Sequence, residues 1–310
     1  MRHFIVPVDG SSHGWRAVDV AVALARRCNG NLDVVQVVFD PDDMQDTERS
    51  LHTRLIDVDS FDVNIVPVVH LADRSGDTVA AEICTMVMSQ PGATVVMASQ
   101  GRGRSAAVVG SVAEDLLRCL DGPVVVVGPQ SGVPDFSNPM IVTLDGSDFS
   151  QAALPIAASW SNHLGPQPTL LRVIERDASE STDDTENEQY LLSMSGLLST
   201  LTKHKVPYTL RHHRDVGAAV CAHAENIDAS LIVASTHGHT GMPRFMPGSA
   251  AAAFVRNAPI TDGGTSKPRA SVSTGWRPDC THRHCLREPE FSKAHPTARS
   301  TGSPSVFPPR

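Results

Sequence analysis

The feature that most constrains this chain is an internal repeat with a period of about 136 residues. The segment VPVDGS at 6–11 returns as VTLDGS at 142–147. Two further landmarks keep the same register, 32–38 with 169–174 and 94–99 with 230–235. Because a sustained repeat of domain length indicates one folding unit used twice, the chain is predicted to contain two copies of a single domain.

Each copy alternates short β-branched runs with segments of helical spacing. In the first copy, strands are predicted near 4–8, 32–38, 62–68, 94–98 and 123–127, and helices around 13–28, 77–89 and 110–120. Uninterrupted apolar strands such as VVVV at 124–127 are typical of a parallel sheet covered by helices on both faces. The predicted fold class is α/β, with two tandem doubly wound parallel-sheet sandwiches.

The composition divides the chain into a domain at 1–128, a Pro/Gly/Ser-rich linker at 129–139, a second domain at 140–260 and a tail at 261–310. The second copy stops before a counterpart of the fifth strand, so it is predicted to lack its last strand. The tail is predicted to be disordered, because it is too poor in apolar residues to offset the entropy of ordering.

An incomplete second copy would leave two strands at open sheet edges. These are the fifth strand of the first copy, 123–127, and the fourth strand of the second copy, 230–235. An apolar strand with unpaired N–H and C=O groups invites pairing with another chain. We therefore expect the protein to self-associate through the strand at 123–127.

The charge distribution argues against nucleic acid as a partner. The chain carries a net charge of −8, and the tail 261–310 has eight Lys or Arg against four Asp or Glu. The rest of the chain is therefore strongly acidic, whereas phosphate backbones are bound by clustered Lys and Arg. We expect no nucleic-acid partner.

Several features predict a cytoplasmic protein without membrane contact. No stretch approaches the roughly 18–20 consecutive apolar residues of a membrane-spanning helix, and the N-terminus leads directly into the first predicted strand without a leader. The six cysteines show no close pairing in the predicted domains, so we expect them to be reduced residues of the core.

Asp9 and Asp145 are the first candidates for a binding role. Each follows the first strand of its copy and precedes Gly-Ser, at the sheet edge where open α/β folds bind ligands. A carboxylate there can accept hydrogen bonds from a base or a ribose. The tripeptide also fits a simple turn with a helix cap, and the residues alone leave both interpretations open.

The loop after the fourth strand is glycine-rich in both copies and leads to a Gly-Ser pair, Gly110-Ser111 in one and Gly248-Ser249 in the other. Glycines let backbone N–H groups approach phosphate oxygens, and the start of the following helix adds its unpaired amides and dipole. This pattern predicts an anion-binding loop. Neither a Rossmann fingerprint nor a Walker loop matches, because the glycines follow the fourth strand.

Taken together, these motifs resemble the universal stress protein family, whose nucleotide-binding members carry Gly-x-x-Gly, nine residues, then Gly-Ser/Thr. The resemblance implies a fold like the adenine nucleotide α-hydrolases, ATP or AMP as ligand, and ten binding residues: Asp9, Val37, Gly101, Gly110, Ser111, Asp145, Val173, Gly238, Gly248 and Ser249. The motif's leading glycine is replaced by Ala98 in one copy and by Ser235 in the other, the first loop is one residue short, and Pro247 precedes Gly248.

The function implied is that of a non-enzymatic stress protein that responds to ATP or AMP. The alternative is a nucleotide-free dimerisation or scaffold module of the same fold. A third hypothesis, a slow ATPase or adenylyl transferase, is supported by fold analogy alone. GSSHG at 10–14 fits an esterase elbow, but the repeat does not preserve it. His237, His239 and the Cys/His tract at 280–285 are interpreted as solvated or compositional features, so no catalytic or metal-binding residue is assigned.

Overall fold

The computed structural model describes eight stretches of the chain: 2–58, 62–72, 78–100, 110–120, 122–128, 131–175, 184–235 and 270–274. Their strands are β1 (His3–Pro7), β2 (Asn31–Val38), β3 (Asn64–Leu71), β4 (Thr94–Ala98), β5 (Pro123–Val127), β6 (Met140–Thr143), β7 (Pro168–Glu175), β8 (Tyr208–His213), β9 (Leu231–Ser235) and β10 (Ala270–Thr274). Their helices are α1 (Ser12–Cys28), α2 (Met44–Ile56), α3 (Val79–Met88), α4 (Ser111–Cys119), α5 (Asp148–Gln151), α6 (Ala153–Leu164), α7 (Thr185–Thr202) and α8 (Val216–Asn226).

The ten strands form one sheet in the order β3-β2-β1-β4-β5-β10-β9-β6-β7-β8. Strands β1 to β5 are all parallel, and so are β6 to β9. Parallel neighbours require crossover connections, which the helices of each half supply. The predicted fold class is confirmed, with five strands from the first repeat and four from the second.

The fifth position of the second half is filled by β10, from beyond the repeat. Val272 of β10 lies opposite Val125 of the antiparallel neighbour β5 and opposite Val233 of the parallel neighbour β9. The prediction of disorder is therefore wrong for these five residues, and the remainder of 261–310 lies outside the described part of the chain. The segment ASVST is too short to predict a strand from its own residues. Strand formation here depends on the neighbouring strands, which are distant in sequence.

The two predicted open edges are consequently wrong. β5 has β4 on one side and β10 on the other, and β9 lies between β10 and β6. Since both sides of β5 are paired, it offers no free ladder to a second chain, and self-association through this strand loses its physical basis. The outer strands of the sheet are β3 and β8, and Pro67 within β3 limits edge pairing because proline has no N–H.

Alternate residues of the central strands β1 and β6 are buried on opposite faces of the sheet. Phe4 and Val6 of β1 belong to a core that also contains buried residues of α1, whereas Ile5 between them belongs to a core with α3 and α4. In the second half Val142 lies in the first of these cores, and Ile141 packs with residues of α8. One core therefore runs through both halves, while the opposite face carries a separate cluster for each half.

The two halves are also joined by helices α1 and α6. Trp160 of α6 is 1% exposed in the shared core, and the guanidinium of Arg2 lies 5.8 Å from the centroid of its ring. Arg27 Nε donates to the Leu164 carbonyl oxygen over 2.7 Å. Phe136, from the predicted linker, is buried in the same core, so this residue belongs to the packed structure.

Helix α2 was not predicted from the sequence. Leu51 is its only buried residue, so the helix lacks the stripe of apolar residues by which an amphipathic helix is recognised. Its position between β2 and β3 follows from the crossover that two parallel neighbours need.

The expectation that the cysteines are unpaired is wrong for Cys84 and Cys119. Cys84 lies on α3 and Cys119 ends α4, and a disulfide joins them. The two helices pack side by side on one face of the sheet, which brings the Cα atoms to 6.5 Å, within the range that a disulfide can span. Of the other described cysteines, Cys28 and Cys221 are not disulfide-bonded.

Candidate ligand-binding edge of the sheet

The Asp-Gly-Ser segment after β1 forms a tight turn that begins α1. The Asp9 carboxylate accepts hydrogen bonds through Oδ1 from the Ser11 backbone N–H at 2.9 Å and from the Ser11 hydroxyl at 2.5 Å. Ser11 is the N-cap of α1, and its Oγ accepts from the Gly14 N–H at 3.2 Å. The serine therefore satisfies one of the amides that a helix start leaves unpaired.

The second half reproduces this turn bond for bond. Asp145 Oδ1 accepts from the Ser147 N–H at 2.9 Å and from its hydroxyl at 2.6 Å, and Ser147 Oγ accepts from the Ser150 N–H at 3.2 Å. The central glycines have φ values of +79° for Gly10 and +89° for Gly146, which other residues rarely adopt. The turn-and-cap interpretation is thus confirmed in both halves, and both aspartates remain exposed.

Both turns lie at a switch point of the sheet. In the first half β1 has β2 on one side and β4 on the other, and in the second half β6 has β7 and β9. At such a point of an open α/β sheet, the connections after two neighbouring strands lead to opposite faces and leave a crevice between them. In the first half, α1 after β1 and α4 after β4 pack on opposite faces of the sheet. Asp9 and Asp145 therefore occupy the place where open α/β sheets bind ligands.

The other side of the first crevice is formed by the end of β4 and the start of α4. The Gly110 N–H donates to the Ser99 carbonyl oxygen, and the Ser99 N–H donates to the Val127 carbonyl oxygen, both over 2.8 Å. Gly110 is the N-cap of α4 and makes no side-chain cap hydrogen bond, and Ser111 is the first helical residue. Among the described residues no side chain caps the amides of this helix start, which are therefore suited to an anion.

Gly110 has an ordinary backbone conformation, with φ −66° and ψ 146°. Other residues adopt these angles readily. The backbone conformation therefore does not require a glycine at this position. A glycine would be required only where a ligand approaches the backbone amides of α4 closely.

Val37 and Val173 occupy equivalent places on the second strand of each half. Both are half-buried near the carboxyl end of the strand. Val37 packs against the cluster under α3 and α4, and Val173 against the cluster under α8. Each presents an apolar surface at the level of the aspartate turn.

The remaining predicted site residues lie outside the described part of the chain. These are Gly101, Gly238, Gly248 and Ser249, together with His237, His239 and the tract 280–285. The structure therefore brings together Asp9, Gly110 and Ser111 at one switch point, and it places Asp145 at the other.

The structure adds polar and aromatic groups that the sequence analysis missed. Ser99 is 1% exposed, and among the described residues its hydroxyl has no hydrogen-bond partner. The guanidinium of Arg54 lies 4.8 Å from the ring centroid of Trp15, and that of Arg172 lies 5.1 Å from the ring centroid of Tyr190. Neither stacked pair has a sequence signal, because its members come from separate elements.

The charge environment of the second turn affects Tyr190. Burial raises the pKa of the Tyr190 hydroxyl; Arg172 opposes this rise, and the negative charge of Asp145 contributes to it. The aspartate, the arginine and the tyrosine therefore interact electrostatically beside Gly146.

The described residues contain neither a membrane-spanning helix nor a metal-binding cluster. No described helix is long and apolar enough to cross a membrane. No group of three or more His, Cys, Asp or Glu side chains in the same stretches could hold a metal ion.

A doubly wound sheet used in tandem, with an Asp-Gly-Ser turn at each switch point, defines a class of α/β proteins whose ligand-binding edge is the carboxyl edge of the sheet. The sequence profile of the universal stress protein family matches residues 1–128 and 137–261. The chain therefore belongs to the universal stress protein family. The second match ends before β10, so the strand that completes the sheet lies beyond the family profile.

Two solved structures show the same fold across both halves. A universal stress protein from Archaeoglobus fulgidus DSM 4304 matches 89% of this chain and 98% of its own, with 16% identity and a TM-score of 0.66. A Pseudomonas aeruginosa UCBPP-PA14 protein assigned to the same family matches 88% of this chain and 93% of its own, with 10% identity and a TM-score of 0.58. A smaller family member from Archaeoglobus fulgidus, solved in complex with dAMP, matches 44% of this chain and 99% of its own, with 18% identity and a TM-score of 0.34. No curated protein matches the sequence.

Proposed function

We propose that this protein binds an adenine nucleotide, ATP or AMP, at the switch point of each half and acts as a non-enzymatic, nucleotide-responsive regulator of a stress response. The observation that carries the proposal is the pairing of complementary groups across the first switch point. Asp9 follows β1, and the start of α4, which no side chain of the described residues caps, follows β4. Membership of the universal stress protein family supports the same conclusion.

These groups suit the two ends of a nucleotide. The exposed Asp9 carboxylate can accept hydrogen bonds from ribose hydroxyls or from an adenine amino group, and Val37 offers apolar contact to a base. The start of α4 at Gly110 and Ser111 offers backbone amides and the positive end of the helix dipole to a phosphate group. The Ser99 carbonyl oxygen accepts from the Gly110 N–H, so this residue adjoins the helix start, and its buried hydroxyl can add a further hydrogen bond.

A non-enzymatic role fits the way in which the turn serines are used. The hydroxyls of Ser11 and Ser147 each donate to an aspartate and accept from a helix amide, so both act as caps. A slow ATPase would release ADP or AMP during long incubation with ATP. Under the proposal, chromatography of such a mixture shows unchanged ATP.

The test is nucleotide binding by the full chain and by a Gly110→Val variant. Because φ at Gly110 is −66°, valine is compatible with the backbone and the fold should be retained, while the branched side chain blocks close approach to the helix start. We expect first-half affinity to fall at least tenfold, which corresponds to about 1.4 kcal/mol, in isothermal titration calorimetry. Gly196→Val is the matched control, because a Cβ atom added at Gly196 on α7 would meet nothing within 4 Å beyond its own stretch of helix.

Two results would decide against the proposal. The first is an absence of ATP or AMP binding by the parent at millimolar concentration, together with no excess absorbance at 260 nm after the purified protein is denatured. This outcome favours the nucleotide-free dimerisation or scaffold alternative. The second is undiminished binding by Gly110→Val, which would place the phosphates away from α4.

A further inference from the structure

In both halves a ring-backed arginine contacts the glycine of the Asp-Gly-Ser turn. In the first half Arg54, from the last turn of α2, donates from Nη1 to the Gly10 carbonyl oxygen over 2.9 Å. The same guanidinium lies over the indole ring of Trp15, 4.8 Å from its centroid. The cation is thus held by an aromatic face on one side and by the turn on the other.

In the second half the cation comes from a strand. Arg172 of β7 lies over the ring of Tyr190, 5.1 Å from its centroid. Its guanidinium also lies against Gly146, where a Cβ atom would come within 2.6 Å of both Nη1 and Nη2. The backbone of the turn and the guanidinium therefore touch directly.

These pairs are not copies of each other. The position equivalent to Arg172 in the first repeat is Gln36, and the position equivalent to Trp15 in the second repeat is Gln151. The helix between the second and third strands carries the cation in one half, on α2, and the ring in the other, on α7. The same contact at the turn is therefore made by different residues from different elements.

The contact between a guanidinium and the turn glycine is present in both halves, although the cation and the ring lie on different elements in each. A contact that resulted only from one packing arrangement would not be expected in both. The shared feature is a planar cation against a glycine with φ between +79° and +89°. Glycine is the most flexible residue in a turn, and a stacked guanidinium offers a rigid planar surface against it that a lysine cannot reproduce.

We propose that Arg54 and Arg172 are positioning residues, each of which fixes the conformation of the adjacent Asp-Gly-Ser turn and so orients the carboxylate of Asp9 or Asp145 toward the ligand. The claim that the arginines orient the carboxylates toward a ligand rests on the nucleotide-binding function proposed above. The claim that they fix the turn conformation concerns the ligand-free protein and is testable without any nucleotide.

The ligand-free test measures hydrogen exchange of the Ser11 and Ser147 amides, which donate to the turn aspartates. Arg172→Lys should raise the exchange rate of the Ser147 amide at least tenfold and leave the Ser11 amide unchanged. Arg54→Lys should do the reverse. Each half is therefore the internal control for the other.

Control variants separate stacking from other effects. Arg49→Lys, on the same helix as Arg54, alters an exposed ion pair with Asp46 and should leave both amides unchanged. Tyr190→Phe keeps the ring and should behave like the parent, whereas Tyr190→Leu should reproduce Arg172→Lys. Equal exchange rates in the parent and in both arginine variants would overturn the proposal.

The ligand-dependent test titrates ATP and AMP with one half silenced, by Asp9→Ala or by Asp145→Ala. Arg172→Lys should weaken binding by the second half about tenfold and leave the first half unchanged, with no change in the unfolding midpoint. Faster exchange without weaker binding would overturn the orienting role. If the parent binds no nucleotide, the proposed function fails, while the exchange measurement still decides whether the arginines fix the turns.

Discussion

The Cys84–Cys119 disulfide should contribute substantially to the stability of the first half. It closes a loop with a sequence separation of 35. In the chain-entropy treatment, the restriction of the unfolded chain by a loop of this length stabilises the folded state by about 4 kcal/mol at 25 °C. Since the total free energy of unfolding of a domain is roughly 5–15 kcal/mol, reduction of this bond should remove a large share of it.

The shared core implies that this loss is felt by the described fold as a whole. Buried residues of both halves lie in one cluster, so a less stable first half should lower the transition of the second as well. For domains of about 150–250 residues, 1 kcal/mol corresponds to roughly 2–4 °C in Tm. A loss of about 4 kcal/mol therefore predicts a decrease in Tm of roughly 8–16 °C.

The assay is thermal unfolding followed by circular dichroism, with and without a phosphine reductant. The Cys84→Ala, Cys119→Ala double variant should unfold at or below the Tm of the reduced parent and should not respond to reductant. Cys28→Ala, which removes a thiol from the same half that is not disulfide-bonded, should respond to reductant as the parent does. Equal Tm values for the oxidised and reduced parent, or no Cys84–Cys119 linked peptide in mass spectrometry, would refute the reasoning.

Two further predictions concern β10 and a buried histidine. Val272→Pro removes an N–H from a strand that is paired on both sides, so it should expose the edges of β5 and β9. Sedimentation should then show concentration-dependent association for Val272→Pro and none for the control Val272→Thr. Identical behaviour of the two variants would contradict the position of β10. Burial, with a smaller contribution from Arg211, lowers the pKa of His223 below its ordinary value of 6.5. As the pH falls below 6.5, His223 therefore binds a proton more readily in the unfolded state than in the folded state, and the free energy of unfolding decreases. The free energy of unfolding from urea titrations should fall less between pH 7 and pH 5 in His223→Gln than in the parent, and equal decreases would exclude this source.

The candidate site was predictable from the sequence where its signal is local. Asp9 and Asp145 were found because the turn, the cap and the strand end lie within a few residues of each other, and the repeat shows them twice. Ser99, Arg54 and Arg172 were missed because their importance depends on contacts between separate elements. Gly110 was predicted to bind phosphate, and the structure places it at the start of α4 with a backbone conformation that does not require a glycine.

The sequence by itself determined the tandem α/β architecture, the four strands of the second repeat and the turns at the switch points. Repeat register, strand alternation and turn chemistry are properties of neighbouring residues, so they can be read without a fold. Only the tertiary structure decided that 270–274 completes the sheet, that Cys84 meets Cys119, and that a stacked arginine contacts each turn. These contacts join segments that are far apart in the chain, and local propensity carries no information about which distant segments become neighbours once the sheet and its shared core have formed.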